Sequence, residues 1–277
     1  MEEFSLISSQ KKFNAFEAPE KHYVNLNELL SYPEKYANKV NLNGFIVVKD
    51  VFNIETINKL RNNYYNLFSD EYEFKNNCWN QIKDPEDPHG YGNHPVKNFL
   101  KSKEFLSFVN NSQLKKIASI LLGSKKALLS KRILVRSFSS CSTFTTKAHR
   151  DQEYYVSSDS SKAITAWIPI GPADKNHGQL IYLENSQKFS FSDKSKKNKV
   201  DRIISSDLSQ LAFKKSSRWL IPEINIGDIL FHSLLTVHAS FESTLRVPRL
   251  SCDLRFAASK NYEDPRWNSH WYGEDGL

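Results

Sequence analysis

After Gly123 the chain changes character, and that change constrains the fold more than any other feature. Apolar runs become short and follow one another closely, at 127–138, 162–170, 179–183, 219–226, 228–231 and 248–257, with turn residues between them. Before Gly123 the pattern is mostly helical. A segment at 26–36 is bent by Pro33, and 54–68 repeats Ile54, Ile57, Leu60, Tyr64, Leu67 and Phe68 at helical spacing behind a cap at Asn53 or Asp50. Helical pattern returns from Pro95 to Leu122 in two pieces, with Gly123 as its stop. One buried strand is expected at 40–50 and a loop at 76–96, where Pro85, Pro88, Gly90, Gly92 and Pro95 accumulate. Many short strands after a helical start predict a β sandwich or barrel buttressed by helices. The whole chain, 1–277, reads as one domain: a helical N-terminal part to about 123, a β core at about 124–257, and a polar stretch at 185–217 too long for a mere connection and placed like a lid.

Composition narrows the classes. With 277 residues, 39% apolar and 13% aromatic, the chain can bury a sizeable core. No run approaches the eighteen apolar residues of a membrane span, and Met1 to Ser5 has no basic-then-apolar signal pattern. Cys78, Cys141 and Cys252 are odd in number and scattered, which points to free thiols in a reducing, cytoplasmic setting. The net charge of +7 comes without an arginine-rich tract, a zinc-finger pattern or an aromatic ribonucleoprotein motif. An acidic small molecule therefore fits the charge better than nucleic acid does. The oligomeric state is not legible.

The chemistry gathers around Ala148-His149-Arg150-Asp151-Gln152-Glu153-Tyr154-Tyr155. In an extended segment His149 and Asp151 leave the same face, two thirds of the 2-His-1-carboxylate set that suits Fe(II) with open positions. Alone, the triplet is better read as a surface histidine beside an acid. A third ligand is needed. His22, His89, His94 and His270 lie in polar or turn segments, His177 lies in a turn, and His232 on an apolar strand suits a hydrogen-bonded packing role. His238 differs: it stands between an apolar strand and a polar loop, and eleven residues later comes Arg249-Leu250-Ser251-Cys252-Asp253-Leu254-Arg255-Phe256. That run alternates strictly. Arg249 and Ser251 share a face and can hold a carboxylate, although an amphipathic strand with a wet face has the same pattern.

Together these pieces resemble the phytanoyl-CoA dioxygenase family of Fe(II)/2-oxoglutarate oxygenases: His149-x-Asp151, His238 after a gap of 87 residues, Arg249 and Ser251. Gly44-Phe45-Ile46-Val47-Val48 with the helix after it, Asn176-His177-Gly178-Gln179-Leu180, and Gly227-Asp228-Ile229-Leu230-Phe231-His232 are similar to further landmarks, so the resemblance spans about 40 to 257. It implies a mainly β fold with flanking helices, a double-stranded β-helix of the jelly-roll or cupin kind. It implies Fe(II) on His149, Asp151 and His238. It also implies 2-oxoglutarate with its far carboxylate on Arg249, helped by Ser251 or Ser240, and Thr165 and Trp167 beside it. The implied activity is a dioxygenase that decarboxylates 2-oxoglutarate to succinate and CO2 and hydroxylates a small polar or anionic metabolite, with ascorbate as a stimulant. Desaturation and oxidative cyclisation use the same ligands, and a non-catalytic metal-bound barrel is the alternative of another class. Asp151 argues against halogenation, for which related enzymes carry a small residue at that place. For substrate, strand parity offers Glu153 and Tyr155, the preceding strand offers Arg132, and the lysine-rich 188–215 stretch suits a phosphate- or carboxylate-bearing molecule. Asp264 to Trp271 is similar to the tails of bacterial family members of unassigned substrate.

Overall fold

Strand alternation decides how the chain layers. The computed structural model describes residues 2–83, 96–140, 145–155, 157–191 and 202–267. The chain opens with a hairpin, β1 (Glu3–Ser8) and β2 (Lys11–Glu17), turned at Ser9 and Gln10 with φ of 49° and 64°. Positive φ at both central positions is the type I′ turn that suits twisted strands. Next come β3 (Tyr23–Asn25), α1 (Leu26–Ser31), α2 (Pro33–Tyr36), α3 (Lys39–Asn43) and β4 (Phe45–Lys49). The α4 helix (Ile54–Leu67) is capped by Asn53, whose side chain accepts from the Glu55 N–H. A second hairpin, β5 (Tyr72–Lys75) and β6 (Cys78–Gln81), precedes α5 (Val96–Leu100), α6 (Lys103–Val109) and α7 (Ser112–Leu121). Then follow β7 (Leu128–Leu129), β8 (Leu134–Phe138), β9 (Ala163–Pro169), β10 (Leu180–Leu183), α8 (Leu208–Lys214), β11 (Trp219–Ile221), β12 (Ile229–Ser233), β13 (His238–Ser240) and β14 (Arg249–Ala257).

The smaller sheet runs β1-β2-β11-β10-β13, and the larger runs β3-β4-β12-β9-β14-β7 with β8 also on β14. Between them, Phe45, Val47, Trp167 and Leu230 of the larger sheet meet Leu180, Tyr182 and Leu220 of the smaller. The other face of the larger sheet (Ile46, Val48, Ile164, Ala166, Ile168, Ile229, Phe231, Leu250, Cys252, Leu254, Phe256) is covered by Leu29, Ile57, Leu60, Tyr64, Phe105, Leu114 and Ile117 of the helices. Period-two strands thus bury both faces, because helices cover one of them. The outer face of the smaller sheet is roofed by Leu208 and Leu211 of α8. This is the jelly-roll core with flanking helices that the sequence predicts.

The first 123 residues depart from the helical expectation, since β1 to β6 all lie there. The reason is turn chemistry: Ser9-Gln10 and Asn76-Asn77 (φ 53° and 59°) make tight hairpins without an Asn-Gly or Asp-Gly sequence. The expected loop at 76–96 therefore begins with the turn and second strand of a hairpin, while 84–95 lie outside the described residues. The expected strand at 40–50 starts only at Phe45; before it, α3 buries Val40, exposes Leu42 and ends on Gly44 at φ 89°. The end of the stretch read as lid-like is described. Ile204 and Ser205 donate backbone hydrogen bonds to the Ala148 carbonyl, and α8 follows with Asp207 as its cap, so its second half is docked structure. Residues 192–201, with His89, His94, Cys141 and His270, lie outside the described residues.

Candidate metal centre

His149 and His238 are partners across a two-residue ladder. Each backbone N–H donates to the other's carbonyl, at 3.1 and 3.0 Å, forming an isolated antiparallel bridge. Residues so paired project side chains to the same side, and the two imidazole centroids lie 4.3 Å apart. The His149 Nδ1–H donates to the Lys147 carbonyl at 2.8 Å, and the His238 Nδ1–H to the Thr236 carbonyl at 3.0 Å. A carbonyl can only accept, so Nδ1 of each ring carries a proton and Nε2 is the atom each ring turns toward the cluster. Burial, with His149 and His232 nearby, pushes His238 well below the usual histidine range and keeps it neutral.

Asp151 completes the cluster, but not from a strand. The extended run ends at Arg150, and Asp151 to Glu153 form a 3-10 turn. The carboxylate is 2% exposed, and its Oδ1 lies 3.6 Å from His149 Nε2 and 3.7 Å from His238 Nε2. One ligand atom from each of the three residues falls within 4.8 Å of the others. Oδ2 faces the other way. It accepts from the Thr165 hydroxyl, from Arg255 Nη2 at 2.9 Å and from His232 Nε2 at 3.3 Å. Burial alone would push this carboxyl up; the Arg255 charge, hydrogen bonds from His149 and His232, and His238 hold it well below the usual carboxylate range. Two imidazole Nε2 atoms and one ionised carboxylate oxygen converge on one spot, a donor set that fits a divalent iron.

Arg249 lies on the same inward face of β14 as Arg255 and is 2% exposed. Its Nη1 donates to the Gly178 carbonyl, where φ of 71° and the closeness of the Phe241 carbonyl leave no room for a Cβ. The guanidinium carbon lies 4.7 Å from the Phe138 ring and 5.7 Å from the Trp167 ring. Among the described residues its Nε has no hydrogen-bond partner, nor has the Ser251 hydroxyl. Asp253, which lies between Ser251 and Arg255 on the same face, pairs with Arg136 at 3.1 Å. Burial pushes Arg249 down to about 9, against the pull of Asp253. Buried donors without acceptors are costly, and a carboxylate is the group that would satisfy them.

Other expected site residues fall elsewhere. The Thr165 hydroxyl donates to Asp151, and in the sheet Thr165 pairs with Arg255, while Ser251 pairs with Pro169. The Ser240 hydroxyl accepts from the Thr146 N–H at 2.7 Å and so fastens the approach to His149. Strand parity for Glu153 and Tyr155 fails because of the 3-10 turn. Glu153 is bound by Arg150, and Tyr155 packs with Ala163, Leu234, Ala257 and Trp267. Arg132 lies over the Trp267 ring at 5.2 Å. Arg255 and Tyr182 were not singled out by sequence, and His232 was read only as packing. Yet Tyr182 donates to His232 Nδ1 at 3.0 Å and His232 reaches Asp151. The alternation of β14 could have found Arg255, since it shares the face of Arg249. From the 185–217 stretch, Arg202 lies 5.4 Å over Tyr154, whose ring meets His149 edge-on at 5.5 Å.

Comparison with known proteins agrees with this arrangement. The sequence model for phytanoyl-CoA dioxygenase matches residues 40–249. No curated protein matches the chain. Among solved structures, the α-ketoglutarate-dependent epimerase SnoN from nogalamycin biosynthesis is 16% identical, covering 82% of this chain and 84% of its own, with a TM-score of 0.60. The α-ketoglutarate-dependent carbocyclase SnoK of the same biosynthesis is 17% identical, with 81% and 85% covered and a TM-score of 0.61. EctD from S. alaskensis, solved with 2-oxoglutarate and 5-hydroxyectoine, is 15% identical, with 85% and 82% covered and a TM-score of 0.55. At these identities the likeness is one of fold. Among the described residues no helix is long and apolar enough to cross a membrane.

Proposed function

This chain belongs to the phytanoyl-CoA dioxygenase family, and from that premise we propose that it is an Fe(II)/2-oxoglutarate-dependent dioxygenase hydroxylating a small, polar or anionic metabolite. One observation carries the reading: His149 Nε2, His238 Nε2 and Asp151 Oδ1 converge while Asp151 Oδ2 is taken up by protein donors. His149, His238 and Asp151 would hold the iron, leaving places for a 2-oxo acid and dioxygen. Bound there, iron with 2-oxoglutarate supplies the oxidation, with succinate and CO2 as coproducts. The protein orients. Arg249 and Ser251, with donors lacking partners, would hold the far carboxylate, and Trp167 would wall that end. The ionised Asp151 occupies the place a halide needs, so oxygen transfer is the expected outcome rather than halogenation. Free Cys78 and buried Cys252 support a reducing, cytoplasmic setting.

A second reading keeps the same ligands but ends in desaturation or ring closure; it is favoured by the fold likeness to an epimerase and a carbocyclase. Incubation with Fe(II), 2-oxoglutarate, ascorbate and a cell metabolite extract tests both. A mass gain of one oxygen with succinate release supports hydroxylation, and a loss of two hydrogens supports the second reading. If no succinate forms with any pool, and Asp151→Ala binds 2-oxoglutarate as the parent does, the protein is a binding barrel and not an oxygenase.

A further inference from the structure

The outer oxygen of Asp151 is more heavily engaged than a ligand needs for charge balance alone. Thr165 from β9, Arg255 from β14 and His232 from β12 are on three adjacent strands of the larger sheet, and all three reach Oδ2. Arg255 pairs directly with Thr165, and His232 pairs with Thr165 on the other side, so the three residues form one row across the sheet. Each is buried: Thr165 is 0%, His232 1% and Arg255 4% exposed. The row is braced at both ends. Tyr182 from the smaller sheet fixes the His232 ring through Nδ1, and the Arg255 guanidinium lies 5.3 Å over the Trp267 indole, which Arg132 also meets.

We infer that Thr165, Arg255 and His232 are positioning residues that restrict Asp151 to one ligating oxygen. A carboxylate oxygen surrounded by three donors cannot swing toward a metal without stripping all three, in a site too dry for water to replace them. Oδ1 has beside it only the two proposed nitrogen ligands, His149 Nε2 at 3.6 Å and His238 Nε2 at 3.7 Å, and is left facing them. A two-oxygen grip would take a further coordination place, one that an oxygenase keeps for its reactants. The row therefore sets how many places the protein occupies, and it ties Trp267 and the end of the described chain to that number. Sequence shows no such role, because Thr165, His232 and Arg255 are scattered through it.

This inference rests on the metal reading above, and the test separates the two. Metal-free protein is titrated with Co(II) by calorimetry, and the visible absorption of the bound ion is recorded. Outer partners of metal ligands are typically worth 10–100-fold in affinity. Thr165→Val and Arg255→Gln are expected to weaken Co(II) binding at least about tenfold, while Thr165→Ser, which retains the hydroxyl, stays within about twofold of the parent. The Val variant should also change the shape and intensity of the Co(II) spectrum, since these follow coordination number; a merely structural threonine would leave them as they are. Should Arg255→Gln fail to fold, the Val and Ser pair decides the matter. A Val variant with parental affinity and spectrum overturns the inference while the metal reading stands. A parent that binds no Co(II) overturns both.

Discussion

The two faces of β14 are buried to the same degree and do opposite things. Leu250, Cys252, Leu254 and Phe256 are each 0% exposed and pack into the helix-covered core. Arg249, Ser251, Asp253 and Arg255, at 1–4% exposed, point between the sheets. An alternating strand usually has one dry and one wet face. Here both are dry, and the polar face is tolerated because partners meet it: Asp151 for Arg255 and Arg136 for Asp253. Donors without a partner among the described residues remain on Arg249 (Nε), Ser251 (Oγ) and Arg255 (Nε and Nη1), but only Arg255 also has a carboxylate on its guanidinium. Burial alone does not separate core from site. The kind of side chain on the buried face does, since charged and hydroxyl groups there need partners that the apolar face does not.

That contrast can be broken most severely at Asp151. Asp151→Ala leaves Arg255 buried without its partner, a class of change that costs about 3–5 kcal/mol; denaturant unfolding should show that loss together with loss of Co(II) binding. On the apolar face, Leu254→Ala is expected to cost about 2–5 kcal/mol through transfer and cavity terms while leaving metal affinity as it was. If Leu254→Ala weakened Co(II) binding as much as Asp151→Ala, the two faces would not be separate.

The rule that a buried polar atom needs a partner extends to His22. Its Nδ1–H donates to the Phe45 carbonyl, its Nε2 meets no partner, and burial lowers it from 6.5 to about 4. The native state then binds fewer protons than the unfolded chain between those values, so stability is full above 6.5 and falls as pH drops toward 4. The loss should reach no more than about 3 kcal/mol. His22→Phe should flatten that part of the pH profile.

Within the polar face, Arg249→Ala should raise the KM for 2-oxoglutarate at least about tenfold, equal to about 1.4 kcal/mol, with Co(II) affinity retained. Equal loss of both would show that the clamp is misassigned. The smallest effect concerns Cys252. Burial, with Asp253 beside it, pushes its thiol well above the usual range, so peptide mapping after iodoacetamide treatment of native protein should find it unmodified.

Much of this was legible in the order of residues. Read through the family resemblance, the spacing of His149, Asp151 and His238 pointed to residues that do meet in one cluster and that of Arg249 and Ser251 to the proposed carboxylate clamp, and the alternation of residues 249–256 indicated two distinct faces. Local rules misled where turns had no sequence mark. The Ser9-Gln10 and Asn76-Asn77 hairpins were hidden in that way. So was the 3-10 turn at Asp151, which removed the parity argument for Glu153 and Tyr155.

The sequence by itself determined which side chains could bind a metal and a carboxylate, because residue type and strand period are local properties. Only the tertiary structure decided how they are held. His149 meets His238 through a backbone bridge spanning the chain, and Thr165, His232 and Arg255 become neighbours only when three strands align. Register between distant strands is set by packing of whole faces, and no short stretch of residues encodes it.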